Sequence, residues 1–411
     1  MHGSESMAAE KFDVVVIGAG IAGALAGLFC ARSGFRTLIV EKQLFPRHKV
    51  CGCCINGRAL AILNDAGLAT CLQELRPTTT SSLAIRYAGK KLDIAMPQNI
   101  AVSRKALDQC LLNEARKAGC DVIEQATATV LPSDVSGISS TDDFRTITLK
   151  HRSQNAAAID VEASTNENID TKVYARVVLV CDGLGHPSLH LFPEFSSPPQ
   201  HGSRIGLGTV IPRSDGDNWI PSGAVLMAVA PHGYAGVVEI EDRQLNIGAA
   251  IDPGHLQQSK SACASLISIF EAAGLPIPTH LGDAVVKGTI PLTRAASRVS
   301  GHRIFLLGDS TGYIEPFTGE GMAWAASAAL KVMPLVKTAI DDTWSRNLEL
   351  GWESAFRTIV SGEQKVCRLL SAALRKPWLL TPVLAVCRVF PSLTQHLVGR
   401  INRVPRALES V

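Results

Sequence analysis

A glycine-rich turn near the start of the chain constrains the fold more than any other feature of the sequence. The apolar run Phe12 to Ile17 leads into GAGIAG at residues 18–23, which opens a helical pattern from Ala24 to Ser33. A second apolar run, Thr37 to Val40, ends at the acidic residue Glu41. Continuous apolar runs are typical of parallel strands that are covered on both faces. The sequence therefore predicts a βαβ unit and an α/β fold with a parallel sheet.

The same turn has the spacing of a dinucleotide-binding fingerprint. Gly18 permits a tight turn, Gly20 lets the backbone approach a pyrophosphate, and Gly23 lets the helix pack on the strand. Glu41 stands where an acid accepts hydrogen bonds from ribose hydroxyls, and its charge argues against a 2′-phosphate. The fingerprint predicts a dinucleotide site but does not choose between FAD and NAD.

A second strand, turn and helix pattern lies in RIFLLGDSTGYIEPFTGEGMAWA at residues 303–325. Gly308 and Asp309 follow an apolar run, and Gly319 and Gly321 precede an alanine-rich helical pattern. A helix start offers unpaired N–H groups and the positive end of a dipole, so a polar or anionic group can bind there. Taken alone, the stretch is equally compatible with an ordinary connection in which Asp309 caps the helix.

Composition excludes several classes of function. The 411 residues include 40 Lys or Arg and 37 Asp or Glu, and this balanced charge gives no expectation of a nucleic-acid partner. No apolar run has the length of a membrane-spanning helix, and the N-terminus lacks the apolar core of a signal peptide. The 11 scattered cysteines favour reduced thiols. We therefore expect a cytoplasmic protein.

The motifs together resemble the p-hydroxybenzoate-hydroxylase-like superfamily of FAD-dependent oxidoreductases. The fingerprint, Arg104 before a helical pattern, Asp182-Gly183 and Gly308-Asp309 occur in the order and spacing seen in that superfamily. It includes class A flavin monooxygenases, geranylgeranyl reductases and flavin halogenases. The resemblance implies FAD, with NADH or NADPH as electron donor. It also implies a Rossmann-like FAD-binding domain interleaved with a mixed β-sheet substrate domain, followed by a helical C-terminal region.

The resemblance assigns roles to individual residues. Arg104 approaches the pyrophosphate, Asp309 contacts the ribityl chain, residues 319–322 face the pyrimidine end of the flavin, and Pro316 lies at the substrate edge. The predicted cofactor-binding residues are Gly18, Gly20, Ile21, Ala22, Gly23, Glu41, Lys42, Arg47, Cys51, Gly52, Arg104, Val130, Asp182, Gly308, Asp309, Pro316, Gly319, Gly321 and Met322. The role of Glu320, as a solvated residue or a substrate contact, stays open.

Residues 46–58, PRHKVCGCCINGR, resemble the segment of geranylgeranyl reductase-like enzymes that runs beside the flavin ring. Because no second Cys or His pair stands at zinc-like spacing, no metal site is predicted. Cys51 is interpreted first as a packed small thiol and alternatively as a redox nucleophile. It is one of the catalytic candidates.

Two further catalytic candidates, His232 and Tyr234, lie in PHGYAGVVEIE at residues 231–241. This stretch resembles a G-Y-x-W segment of geranylgeranyl reductases, with Gly236 in place of the aromatic residue. Aromatic residues make up only 5% of the chain, which favours an aliphatic cavity and a lipid-like or alkylated substrate. The broken apolar segment 377–399 is predicted to pack on the core or, alternatively, to contact a membrane surface.

Ser188 follows Asp182-Gly183 at the expected place, but the Arg of the monooxygenase motif is missing. Even so, the preferred prediction is an NAD(P)H-dependent monooxygenase that hydroxylates an apolar or alkylated aromatic molecule. The alternatives are a reductase of prenyl or lipid double bonds, a halogenase, and a non-catalytic flavin-binding module. The predicted segments are a flexible leader (1–11), FAD-binding and connecting segments (12–180), a substrate domain (181–295), the Gly-Asp segment and its helix (296–340), and a helical region (341–411).

Overall fold

The computed structural model describes residues 10–132, 144–151, 171–315 and 319–360, together with Pro382. Its strands are β1 (Glu10–Ile17), β2 (Thr37–Val40), β3 (Cys54–Ile55), β4 (Thr78–Tyr87), β5 (Lys90–Ala101), β6 (Asp121–Ile123), β7 (Ala126–Val130), β8 (Arg145–His151), β9 (Thr171–Val180), β10 (Ile205–Pro212), β11 (Ala224–Ala230), β12 (Gly233–Ile240), β13 (Gln244–Ile251), β14 (Lys287–Pro291), β15 (Arg294–Ala295), β16 (Ser300–Gly301), β17 (Ile304–Leu306) and β18 (Gly312–Tyr313). Its α-helices are α1 (Ile21–Arg32), α2 (Gly57–Asp65), α3 (Ala69–Glu74), α4 (Arg104–Lys117), α5 (Pro253–Gln258), α6 (Ala262–Ala273), α7 (Gly321–Lys331), α8 (Met333–Asp341) and α9 (Arg346–Val360). Short 3₁₀ turns span Pro187–Leu189, Pro193–Phe195, Asp215–Asp217, Glu241–Arg243 and Gly308–Thr311.

The first sheet contains the predicted βαβ unit. Its strands run in the order β16, β17, β9, β1, β2, β6, and the central pairs from β17 to β6 are parallel. The β7–β8 hairpin extends it by pairing with the first half of β9. Helices α1, α4 and α7 pack apolar side chains against one face of this sheet. Strands β7 and β8 contribute to a second hydrophobic core on the other face. The prediction of a parallel, Rossmann-like sheet is confirmed.

The second sheet is largely antiparallel, in the order β14, β10, β13, β12, β11, β4, β5, β3. The pair of β11 with β4 is parallel. Helix α6 packs on one face through Leu266, Ile269 and Phe270. Strands β3 to β5 belong to this sheet, although the sequence analysis grouped them with segment 12–180. The chain thus contributes strands to the second sheet twice, first β3 to β5 and later β10 to β14. The two groups join where β4 pairs with β11, more than one hundred positions further along the chain.

Two glycines of the fingerprint are required by close packing. Gly18 has φ +99°, and a Cβ there would lie 2.5 Å from the carbonyl oxygen of Cys181. A Cβ on Gly23 would lie 1.8 Å from the carbonyl oxygen of Gly18. Helix α1 can therefore lie against the turn after β1 only because both positions lack a side chain.

The C-terminal helix of the described chain, α9, docks on the first sheet. Trp352 is fully buried against Phe305, and its Nε1 donates to the carbonyl oxygen of Leu306 at 3.1 Å. Within the described ranges, no helix is both long and apolar enough to cross a membrane. Apart from Pro382, segment 377–399 lies outside the described residues, so its predicted docking stays a prediction.

The expectation of reduced thiols throughout is wrong for one pair. Cys71 on α3 and Cys110 on α4 form a disulfide, with their Cα atoms 6.5 Å apart. The packing of α3 on α4 brings the two residues within bridging distance, which their separation of 39 positions could not show. Of the described cysteines, Cys51, Cys53 and Cys54 are among those that stay free.

Candidate functional site

A cavity of about 1000 Å³ lies between the carboxyl ends of the first sheet's strands and one face of the second sheet. Open α/β sheets bind ligands at this edge. The predicted cofactor-binding residues that line it are Gly18, Gly20, Ile21, Ala22, Glu41, Lys42, Arg47, Cys51, Gly52, Arg104, Asp182, Gly308, Asp309, Gly319, Gly321 and Met322. The structure therefore brings motifs from five parts of the chain to one cavity.

Three residues of that prediction are not found in the cavity wall. Gly23 lies behind it, where it packs α1 on the turn. Val130 is fully buried in the second core of the first sheet, and its neighbours Ala126 to Thr129 line the cavity instead. Pro316 lies outside the described residues.

Two arginines face the fingerprint turn at the start of α1. A Cβ on Gly20 would lie 3.7 Å from Nη2 of Arg104 and 3.8 Å from Nη2 of Arg47. Arg104 donates from Nε and Nη2 to the two carboxylate oxygens of Asp108, each at 2.8 Å, and Arg47 lies 3.0 Å from the same carboxylate. The start of α1 has no side-chain cap. Uncapped N–H groups and two guanidinium groups fit an anion such as a pyrophosphate.

Glu41 is buried at the end of β2, and its carboxylate orders the turns around it. One oxygen accepts from the backbone N–H of Ala19 at 2.9 Å, and the other accepts from that of Gln43 at 3.0 Å. An ionised carboxylate has about four lone-pair positions, so hydrogen bonds from ribose hydroxyls remain compatible with these contacts. The contact of Glu41 with a ribose stays a prediction.

The Asp182-Gly183 and Gly308-Asp309 motifs meet at the base of the cavity. Ser310 Oγ donates to Asp182 at 3.3 Å, and Asp182 also accepts from the backbone N–H of Ser188 at 2.9 Å. Burial raises the pKa of Asp182 despite these bonds. Asp309 lies 3.2 Å from Nζ of Lys49. Asp182 thus ties two loops together, while Asp309 is held at the cavity wall by a cation.

The predicted pyrimidine end of the flavin is the start of α7. Gly319, Gly321 and Met322 line the cavity there, and no side chain caps the helix. Glu320 is 1% exposed and does not line the cavity, so the structure agrees neither with a solvated residue nor with a substrate contact. Tyr313 lies alongside, because a Cβ on Gly321 would be 3.6 Å from its ring.

The CGCC segment crosses the second sheet under the cavity. Asn246 of β13 donates to the carbonyl oxygen of Cys51 at 2.9 Å, and a Cβ on Gly248 would lie 2.9 Å from that oxygen. A hydrogen bond with the Cys53 thiol lowers the pKa of the Cys51 thiol, burial opposes this effect, and Arg104 adds to it. Burial raises the pKa of Cys54 to about 12. Cys51 is therefore the thiol of this segment that ionises most readily.

The second sheet gives the cavity an apolar wall. Its buried members include Met227, Tyr234, Ala250 and Leu292, which form one hydrophobic cluster with Tyr313 packed against it. Tyr234 thus lies where the sequence predicted a substrate contact. His232 does not: it stacks on His255 with ring centroids 3.7 Å apart and shares Ser268 of α6 with it, because the β11–β12 turn points it toward the helix-covered face.

Comparison with known proteins supports FAD as the cofactor. Residues 11–183 match a family model described as an FAD binding domain. A menaquinone reductase of Mycobacterium tuberculosis is 26% identical, with 90% of this chain and 85% of that protein covered. Digeranylgeranylglycerophospholipid reductase 1 of Methanopyrus kandleri is 23% identical, with 88% of this chain and 91% of that protein covered.

The chain is an FAD-dependent oxidoreductase. The superfamily predicted from the motifs is thereby confirmed. The fold of this flavoprotein is also similar to that of a myxobacterial chondrochloren halogenase, with a TM-score of 0.68 and 17% identity over 88% of this chain and 82% of the halogenase. Since reductases and halogenases both appear among the similar proteins, the family alone does not fix the reaction.

Several residues that line the flavoprotein's cavity or support its wall escaped the sequence analysis. Asp108, which holds both arginines, stands four positions after Arg104 on one helix, and that spacing of opposite charges was a usable signal. The sequence analysis also did not predict the ion pair of Lys49 with Asp309. Tyr313 and Glu315 lie inside the quoted stretch 303–325, but no local pattern distinguishes them from loop residues.

Proposed function

We propose that this flavoprotein is a reductase that saturates carbon–carbon double bonds of an apolar, isoprenoid-type lipid. The observation that carries the proposal is the apolar wall of the second sheet, which shares one cavity with the cofactor-binding motifs. An aliphatic chain gains about 25 cal/mol per Å² of apolar surface that leaves water for such a wall. The names of the two reductases above support the same substrate class, and the missing Arg after Asp182-Gly183 argues against the monooxygenase role.

The chain supplies a proton source for this reaction. Bound and reduced FAD supplies a hydride, and saturation of a double bond also takes up one proton. Tyr313 lines the cavity beside the start of α7, where burial, then Asp309 and Cys51, raise the pKa of its phenol. The Tyr313 hydroxyl therefore keeps its proton at neutral pH, and we propose it as the proton donor to the substrate carbon because Tyr313 lines the cavity beside the start of α7.

The test uses the purified FAD-loaded protein, reduced without oxygen by NADH, NADPH or dithionite. It is then incubated with a menaquinone that has an unsaturated side chain, or with geranylgeraniol, and the product is analysed by mass spectrometry. A gain of two hydrogens per double bond supports the reductase. A gain of one oxygen atom after admission of air would instead assign hydroxylation, the reaction that the sequence favoured.

Tyr313→Phe tests the proton donor. We expect FAD binding to persist, as seen in the flavin absorbance spectrum, while the rate of double-bond reduction falls by about 10²- to 10⁴-fold, the usual contribution of a general acid. Tyr174→Phe is the matched control, because Tyr174 lies on β9 and does not line the cavity. Equal rates for the two variants would remove Tyr313 from the mechanism.

A further inference from the structure

A buried ion pair interrupts the apolar wall. Arg204, directly before β10, donates from Nη1 to Glu315 Oε1 at 3.3 Å, and each side chain is 1% exposed. Its Nε also donates to Asp252 at 2.8 Å. Glu315 lines the cavity, whereas Arg204 does not. The carboxylate is thus presented to the cavity with its counter-charge placed in the protein.

Stability alone gives no reason for an ion pair at this place. Exchange of a buried ion pair for well-packed apolar residues is often neutral or stabilising. Of the three charged side chains of this cluster, only Glu315 lines the cavity. Its carboxylate favours a hydrogen-bond donor beside it and opposes an anion there.

Tyr234 completes the cluster. Its ring lies 5.8 Å from the Arg204 guanidinium, and burial followed by the charge of Glu315 raises the pKa of its phenol. Its hydroxyl can donate one hydrogen bond and accept others.

We propose that Glu315 and Tyr234 form a recognition site for a hydroxyl group of the substrate. Both residues line the cavity, and the Glu315 carboxylate only accepts hydrogen bonds, so the matching ligand is an uncharged, largely apolar molecule with one hydroxyl, such as an alcohol or a phenol. Tyr313 packs against the same apolar cluster and against the start of α7, so a molecule anchored at Glu315 lies beside the predicted flavin end. This inference rests on the proposed function, which assigns the cavity as the substrate site.

The test measures binding, which needs no turnover. Isothermal titration of the FAD-loaded protein compares three probes of one shape: 2-naphthol, 2-methylnaphthalene and 2-naphthoate. We expect 2-naphthol to bind about tenfold more tightly than 2-methylnaphthalene, because its hydroxyl donates a charge-assisted hydrogen bond. We expect 2-naphthoate to bind most weakly. Equal affinities, preferred binding of the naphthoate, or no binding of 2-naphthol would each overturn the site.

Two variants locate the preference. Glu315→Gln and Tyr234→Phe should each remove most of the tenfold preference for 2-naphthol and leave the affinity for 2-methylnaphthalene unchanged. Glu239→Gln is the matched control, because Glu239 on β12 forms an ion pair with Arg213 but does not line the cavity. If circular dichroism shows that Glu315→Gln does not fold, the preference for 2-naphthol is measured in Tyr234→Phe alone. A preference that survives in the folded variants overturns the proposal, whereas failure of double-bond reduction with the preference intact would overturn only the proposed function.

Discussion

The two walls of the cavity differ in how they bind and in how they are encoded. The cofactor wall consists of glycines, helix starts and charged side chains such as Arg104 and Asp309, which follow the ends of strands. The wall that we propose for the substrate consists of apolar side chains from the second sheet and of Glu315, whose ion-pair partner Arg204 lies behind the wall and 111 positions away in the chain. A wall built from strand ends leaves motifs in the sequence, and a wall built from the face of a sheet does not.

The difference follows from what each wall must bind. A pyrophosphate needs backbone N–H groups at short range, which only particular spacings of glycine around a helix start provide. An apolar chain needs only surface, which many combinations of side chains offer. We therefore expect substitutions to separate cofactor binding from substrate binding.

The largest effect is expected on the cofactor wall, for Asp108→Asn. This change removes the carboxylate that neutralises the buried Arg104 and Arg47, so we expect the free energy of unfolding to fall by about 3–5 kcal/mol. Urea unfolding of the FAD-loaded protein measures it. Glu114→Gln on the same helix, which removes the partner of the exposed Lys117, should leave the unfolding midpoint unchanged. Equal midpoints for the two variants would show that Asp108 is not structurally important.

Asp309→Ala should weaken FAD binding while sparing the fold. Loss of a charge-assisted hydrogen bond costs about 1.5–3 kcal/mol, which corresponds to a Kd for FAD about ten- to hundredfold higher. Fluorescence titration of the apoprotein with FAD gives this value. Asp65→Ala, an exposed aspartate outside the cavity, serves as the control. An unchanged Kd for Asp309→Ala would contradict its predicted contact with the ribityl chain.

On the substrate wall, Met227→Gln should weaken binding of an apolar ligand and leave FAD binding unchanged. A buried amide without a hydrogen-bond partner costs about 1–3 kcal/mol, and an apolar ligand offers it none. We expect the affinity for 2-methylnaphthalene to fall about tenfold at saturating FAD, with the Kd for FAD unchanged. If FAD binding falls in parallel, the two walls do not act separately.

The smallest effect concerns Cys51, at the junction of the walls. The pKa of the Cys51 thiol is lowered, whereas burial raises the pKa of the Cys263 thiol. We therefore expect iodoacetamide to alkylate Cys51 at lower pH than Cys263. Peptide mass spectrometry follows both cysteines in one sample. Cys53→Ala should shift the Cys51 profile to higher pH, and Cys51→Ser should leave FAD bound. Identical profiles for Cys51 and Cys263 would rule out an activated thiol.

Much of the βαβ unit could be predicted because its determinants are local. The run 12–17, the turn at residues 18–23 and the run that ends at Glu41 specify a strand, a tight turn with its helix and a second strand, and the structure has β1, α1 and β2 there. His232 shows the limit of the same reasoning. Its residue type and its place in a turn were compatible with catalysis, but the turn directs it to α6 and away from the cavity.

The sequence by itself determined the βαβ unit, the dinucleotide fingerprint and the Gly-Asp turn before α7, because backbone geometry at a helix start demands particular residues at fixed spacing. Only the tertiary structure decided that Arg47 joins the Arg104–Asp108 pair, that Cys71 meets Cys110, and that Glu315 faces the cavity with Arg204 placed behind it. These contacts join segments whose separation in the chain carries no periodic signal. Their existence depends on how two interleaved sheets pack, and that packing is a property of the whole fold.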